Sequence, residues 1–400
     1  MPVFIYQASC QKTESKNPID LKVLETIAQE NFLVGMTVLG YRDGVRFIYN
    51  YGYADIDREI KVDDSTIFFT ASISKIITGI ALMKLIESGT IKSIDDDISA
   101  YLGYTVRNPH YSIIPVKIRH LMTHTSGISD DGVSYNFISA SYSPNPPSMK
   151  ELLSITGSYY NDDIWLKAVP GSKFKYSNFG TILAGAIVGK VSGKRFDEFV
   201  NDEILKPLGM RGGFIIQNVK NIGKVAVVYR LDDNRDPYIS AEYYNGKKPA
   251  PIDLSDYIPG SNPTILGPHG GLRTRVLGLA KIMEIFINKG VYRNGDDYVR
   301  VLNESSVEQM LKTHWKGFGF EGLYKRKGLF IHITDDLIPG LRMYGHIGDV
   351  MGLLSAMYFN PERKFGIIFI TNGGYHQKGS SGFYRIEEQV FRESYKLLFK

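Results

Sequence analysis

Between Phe68 and Glu87 the chain reads FFTASISKIITGIALMKLIE, and Ile76, Ile77, Ile80, Ala81, Leu85 and Ile86 place apolar groups nearly all round a helix that stops at Gly89. A helix without a polar face belongs in the interior. Toward the N-terminus, Leu21, Val23, Leu24, Ile27 and Ala28 have the spacing of an amphipathic helix over Ile19–Glu30. Two strand-like runs follow, Met36–Tyr41 and Arg46–Tyr53, and Asp43-Gly44 between them is a hairpin signal. Ala54–Thr66 is polar and reads as a connection. From about Ser93 to Gly290 the pattern is mostly helical, over Ile118–Thr123, Ser148–Ile155, Phe179–Val191, Phe196–Leu205 and Thr274–Asn288, with Ser148-x-x-Glu151 as a capping box. Within that region Arg230–Gly267 is rich in Pro, Asp, Tyr and Asn without a clear period, a long loop of the kind that shapes pockets. Beyond Trp315 strands return in Gly317–Tyr324, Gly328–Ile333, Arg342–Ile347, Gly352–Phe359 and Lys364–Thr371, and Phe383–Phe399 is an amphipathic helix.

The pattern predicts an α+β fold in which N- and C-terminal segments form one antiparallel β-sheet flanked by helices, with a mostly helical inserted lobe over about 93–290. A cleft between sheet and lobe is the natural site. Four hundred residues, 43% hydrophobic and 22% charged, suit a large folded unit over 19–400 behind a flexible segment over 1–18. The net charge of +5 comes from scattered residues and not from a basic run, so nucleic acid is not an expected partner. Lys84 and Glu87 interrupt the most apolar helix, well short of the roughly 20 apolar residues of a membrane span.

Cys10 is the single cysteine, which excludes an internal disulfide and a cysteine-ligated metal cluster. Its setting, Ala8-Ser9-Cys10 after a short apolar run, resembles the end of a bacterial lipoprotein signal, although a basic n-region is missing. The expectation is a lipid anchor at Cys10 and a place in the bacterial periplasm or cell envelope. An ordinary cytoplasmic terminus is the alternative.

Candidate chemistry starts at Ser72-Ile73-Ser74-Lys75. Residues three apart share a helix face, so the Ser72 hydroxyl and the Lys75 amine point into one space. A serine needs such a neighbour, because its hydroxyl is almost wholly protonated at neutral pH. The free N–H groups and positive dipole at the helix start favour an oxyanion. In isolation the same four residues also describe a capped helix with a solvated lysine. Ser74 is a rival nucleophile without a lysine three positions ahead. His120 and His124 have the i, i+4 spacing of metal ligands but no acidic residue between them, and neither metal nor cofactor is expected. His269, before Gly270-Gly271, receives no role.

Two further motifs follow in order, Tyr176-Ser177-Asn178 and His346-Ile347-Gly348. With Ile94–Leu102, Val116–Ile128 and Gly267–Met283 between and around them, the chain from about Val34 to Gly373 resembles the serine β-lactamase-related hydrolases of the class C type, with their D,D-peptidases, D-aminopeptidases and esterases. The resemblance implies Ser72 as nucleophile, Lys75 as its partner and Tyr176 as general base, its phenol drawn down by the neighbouring ammonium. Whether Tyr176 or Lys75 takes the proton stays open. It further implies that Asn178 holds the substrate and orients Lys75, that the backbone N–H groups of Ser72 and Asp349 form the oxyanion hole, and that Gly348 lets substrate approach the strand edge. Many members have Lys-Thr-Gly where this chain has His346-Ile347-Gly348. A histidine near its usual pKa of about 6.5 offers one hydrogen bond to Tyr176 or substrate and gains charge only as pH falls. The implied function is a serine hydrolase acting through an acyl-enzyme on a small-molecule or short-peptide amide or ester. Acyl transfer to a non-water acceptor is a second reading, and a β-lactamase or penicillin-recognising sensor a third.

Overall fold

The computed structural model describes residues 20–400 except 242 and 296, so Cys10 and its expected lipid anchor lie outside the described residues. The elements that position the site are, in chain order, α1 (Lys22–Glu30), β1 (Gly35–Arg42), β2 (Val45–Asp55), β3 (Ile60–Lys61), α2 (Ser74–Glu87), α3 (Asn178–Ser192), α4 (Val276–Ile287), β4 (Trp315–Gly319), β5 (Tyr324–Lys327), β6 (His332–Thr334), β7 (Met343–Val350), β8 (Leu353–Asn360), β9 (Phe365–Gly373) and α5 (Arg385–Phe399). The strands form a nine-stranded sheet in the spatial order β4-β5-β6-β7-β8-β9-β1-β2-β3, each neighbouring pair antiparallel. Its seam is β9 against β1, with Val38 opposite Phe369, so the two ends of the chain do close one sheet.

Strand periodicity assigns the two faces. Met36, Val38, Leu354, Ala356, Tyr358, Ile367 and Phe369 pack with the buried stripes of α1 and α5. Leu39, Tyr41, Met357, Phe359, Ile368 and Ile370 pack with α2 and α4 on the other side. Every residue of β8 and β9 is buried as a result. The β1–β2 hairpin has the predicted two-residue turn, Asp43-Gly44, with φ of +47° and +86°. The same geometry joins β7 to β8 through Met351-Gly352, a turn that the sequence pattern did not flag.

As its all-round apolar pattern predicts, α2 is buried along nearly its whole length, and it ends at Ser88 with Gly89 at φ +75°. Its entry differs from expectation. Ser72 lies in a 3-10 turn, Ala71–Ile73, that leads into α2, and Ala71 has φ +46°. The middle of the chain is also less regular than predicted. Apart from α3 and α4 its α-helices are short, and the one at Phe196–Val200 continues as a π turn over Asn201–Leu205. The predicted loop contains a small hairpin, Tyr229–Leu231 with Pro237–Ile239. Short strands at Phe68–Phe69, Gly212–Gly213 and Arg273–Thr274 pair beside the serine turn. The Ser148–Glu151 capping box does not form. Glu151 turns instead to the Ser158 N–H and hydroxyl, at 3.1 and 3.0 Å, because that downstream turn offers it two donors at once.

Candidate active site

The 3-10 turn leaves the Ser72 N–H without an intrahelical acceptor, and the Ser72 side chain lines a cleft of about 510 Å³. Lys75, one turn on, has no exposure at all. Its Nζ reaches Ser72 Oγ at 3.0 Å, Asn178 Oδ1 at 2.8 Å and the His269 carbonyl at 2.7 Å. The last two atoms can only accept, so they take two N–H bonds. In the free amine the lone pair is then left for the Ser72 O–H. Burial draws the Lys75 ammonium down to about 7, with the Asp130 carboxylate opposing and the Lys327 charge assisting. The amine form is therefore accessible at neutral pH.

Ser74 is fully buried, and its hydroxyl is committed to the Ala71 carbonyl at 2.7 Å and the Leu272 N–H at 3.1 Å. A hydroxyl held on both sides by backbone is no rival to Ser72.

The Ser72 hydroxyl favours the Tyr176 phenolate, but burial outweighs it and the phenol is not drawn down as expected. Packing around the hydroxyl raises it above the ordinary phenol range, and the Asp130 charge raises it further. The ring lies against His124 at 4.5 Å between centroids and against Tyr324 at 5.9 Å. His124 Nδ1 accepts from the Ser177 N–H at 3.3 Å, and His120 Nδ1 from the Lys117 N–H at 3.2 Å, so both imidazoles serve backbone groups.

Asp130 is the residue that the sequence reading missed. One of its oxygens accepts from Ser177 Oγ at 2.7 Å and the Phe179 N–H at 3.1 Å, and the other from the Asn178 N–H at 2.7 Å. A carboxylate on the free N–H groups of α3 fixes the entry of that helix. Ser177 is the cap itself, accepting from the Gly180 N–H, and this leaves the Asn178 side chain for Lys75. No local motif marks Asp130, which precedes α3 by almost fifty residues.

On the opposite wall, β7 passes the serine turn. A Cβ at Gly348 would lie 2.8 Å from the Thr70 carbonyl and 2.9 Å from Ala71 Cβ, so the glycine serves the close approach of strand and turn. β6 pairs with β7 only as far as Gly345, and beyond it the Ser72 turn takes the place of a neighbouring strand. Asp349 lines the cleft and accepts from the Tyr384 hydroxyl at 2.7 Å. His346 does not line it. The ring is wholly buried, its Nδ1–H donates to the Ile347 carbonyl at 2.6 Å, and its Nε2 has no partner among the described residues. Burial, and then the charges of Lys327 and Lys75, hold it well below the usual histidine range. The expectation that His346 stays near its usual pKa and offers a hydrogen bond to Tyr176 or substrate is therefore not met, because the strand turns this side chain behind the cleft wall. His269 is likewise drawn down to about 3 by burial, and its contribution is the carbonyl on Lys75.

The model of the Beta-lactamase family matches residues 22–391. Among curated relatives, Protein flp of Staphylococcus aureus (strain N315) is 28% identical over 233 residues, 58% of this chain and 44% of that protein. The matched stretch thus spans less than half the length of such relatives. The octameric penicillin-binding protein homologue from Pyrococcus abyssi superposes with a TM-score of 0.68 at 25% identity, covering 94% of this chain and 76% of that one. The D-amino acid amidase from Ochrobactrum anthropi SV3, complexed with L-phenylalanine amide, gives a TM-score of 0.67 at 19% identity over 95% and 98% of the two chains.

Proposed function

The chain belongs to the Beta-lactamase family, and on that premise we propose that it is a serine hydrolase that forms an acyl-enzyme at Ser72 with an amide, peptide or ester substrate. The observation that carries the reading is the Lys75 amine, buried and bonded to two obligate acceptors, with its third direction on Ser72 Oγ at 3.0 Å. Lys75 takes the Ser72 proton as Oγ attacks the carbonyl carbon. The negative charge moves to the carbonyl oxygen, between the N–H groups of Ser72 and Asp349. As the tetrahedral intermediate collapses, the Tyr176 phenol passes its proton to the leaving atom and is reprotonated from Lys75. Water repeats the sequence on the acyl-enzyme.

A fluorophosphonate probe is expected to add covalently to Ser72, read by mass spectrometry of the labelled peptide. An adduct on Ser74, or none at any pH, rejects the reading.

For the substrate we propose a compound with a free amino group near the scissile carbonyl, such as an amino-acid amide. Asp349 forms no ion pair among the described residues, and it stands at the cleft one residue from Gly348. Phe69, Phe214, Ile215 and Ile265 supply an apolar wall for a side chain. The amidase named above acts on that class. Asp349→Asn, which keeps the backbone N–H, is expected to lower kcat/KM for amino-acid amides relative to their N-acetyl analogues by about tenfold, the worth of one charge-assisted hydrogen bond. An equal change for both substrates places amine recognition elsewhere.

A further inference from the structure

Lys327 is a buried charge that the proposed chemistry leaves unused. It ends β5, its side chain has no exposure, and its Nζ has no hydrogen-bond partner among the described residues. An ammonium held so has lost its hydration with nothing in exchange. Its surroundings share the deficit. The Nε2 atoms of His124, His332 and His346 are all buried without partners, while their Nδ1 atoms are bonded to the Ser177 N–H, the Tyr358 hydroxyl and the Ile347 carbonyl.

Ring contacts connect this cluster to Ser72. Lys327 Nζ lies 5.1 Å from the centroid of Tyr324. Tyr324 stacks on Tyr176, and Lys75 Nζ lies 4.9 Å from the centroid of Tyr176. His332 touches Tyr324 at 4.6 Å, and His346 flanks Tyr176 at 6.2 Å. Two aromatic rings thus stand between two buried amines.

We propose that Lys327 is a second lysine of the catalytic centre, a positioning residue whose charge, behind the Tyr176 and Tyr324 rings, keeps Lys75 in the free-amine form that meets Ser72. The inference rests on the reading of Lys75 as proton acceptor. Other groups facing the pair do not supply that charge. His124, His269, His332 and His346 are held neutral, chiefly by burial. Tyr176, Tyr324 and Tyr358 are raised and stay protonated, and Glu387 is pushed up to about 8 by burial. Arg326 and Lys325 act on His332 from the same strand, whereas Asp130 acts on Lys75 in the opposite sense. Burial draws both amines to about 7, and the Lys327 charge adds to the effect on Lys75, so the two titrate over the same range.

The test follows the second-order rate of fluorophosphonate labelling against pH, in the native chain and in Lys327→Met. The native rate is expected to rise through about 7, the value to which the Lys75 ammonium is drawn. In the variant this limb moves up by about one unit, the effect of one nearby charge at an effective dielectric near 20. Labelling at pH 7 then falls up to about fivefold and recovers by pH 9, a recovery that mere structural damage would not show. Lys327→Leu, with a different shape, gives the same displacement. In the native protein, 13C at lysine Cε shows two signals titrating together near neutrality. A limb unmoved in both variants, a loss that alkaline pH does not restore, or a Lys327 signal titrating in the ordinary lysine range overturns the proposal. Absence of any Ser72 adduct in the native chain would instead reject the hydrolase reading, whereas an adduct with an unmoved limb rejects only the role of Lys327.

Discussion

Lys75→Met is expected to slow acylation of Ser72 by a factor on the order of 10⁴, the upper range for a positioned general base. The rise in rate with pH disappears with it. Methionine fills nearly the same volume, so α2 keeps its packing, and the loss is chemical. Without the amine no other described group at the site is poised to replace it. The Tyr176 phenol is raised, the buried nitrogens His346 Nε2 and His269 Nδ1 make no hydrogen bond to Ser72, and Asp130 is occupied by the start of α3. Stability gives a second reading of the same group. The native-state pKa of Lys75 lies near 7, below the 10.5 of an ordinary lysine, so the unfolded chain binds more protons between those values. Native stability must therefore rise with pH across that window. The variant loses part of that slope and keeps the part due to Lys327, which is drawn down alike. Labelling rates and melting temperatures from pH 6 to 10 check both statements. A variant that retains a limb near pH 7, or loses less than tenfold in rate, would mean that Tyr176 takes the proton despite its raised value.

These opposed shifts explain why the site could be recognised from sequence but not assigned. Ser72, Lys75, Tyr176 and Asn178 lie in short motifs whose spacing is local, and the fold brings their side chains together. Which group holds the proton depends on burial, and burial is a tertiary property. The sequence reading took Tyr176 to be drawn down by a neighbouring ammonium, whereas Lys75 is buried and readily gives that charge up. Asp130 was invisible for a similar reason, since its partners at the start of α3 are distant in sequence. Lys327 follows Lys325 and Arg326, and nothing in this local pattern marks it as an interior residue. It is buried all the same, because it ends a strand paired on both sides and lies between Trp315 and His332.

The fold was legible where one period dominated. The all-round apolar α2, the Asp43-Gly44 hairpin and the paired strands at the two chain ends each follow from a single local rule. The 93–290 region was harder, because its helices are mostly short and draw their stability largely from tertiary packing. The failed Ser148–Glu151 box is an instance, since a competing turn at Ser158 captured the glutamate.

A second large effect is expected from Gly348→Val. The added Cβ would meet Ser355 Oγ at 2.4 Å, the Thr70 carbonyl at 2.8 Å and Ala71 Cβ at 2.9 Å, and valine adds two methyl groups beyond it. Ser355 Oγ is not free to retreat, because it donates to the Thr70 carbonyl at 2.9 Å and thereby ties β8 to the turn that carries Ser72. That turn already holds Ala71 at φ +46°, a conformation that costs an L-residue about 1 kcal/mol or more and persists only under surrounding contacts. The strand or the turn must therefore move, and either movement separates the Ser72 N–H from the Asp349 N–H. Loss of one aligned oxyanion donor costs about 10² to 10³ in rate. The stability loss is smaller, about 1 to 3 kcal/mol as for other overpacked sites, because β7 remains paired to β8 from Tyr344 to Val350. Labelling kinetics and thermal melting separate the two effects. Gly348→Ala should fall between native and valine in both. A valine variant that melts several degrees lower but labels Ser72 at the native rate would show that the oxyanion is not held between β7 and the serine turn, and the second donor would have to be sought on another wall of the cleft.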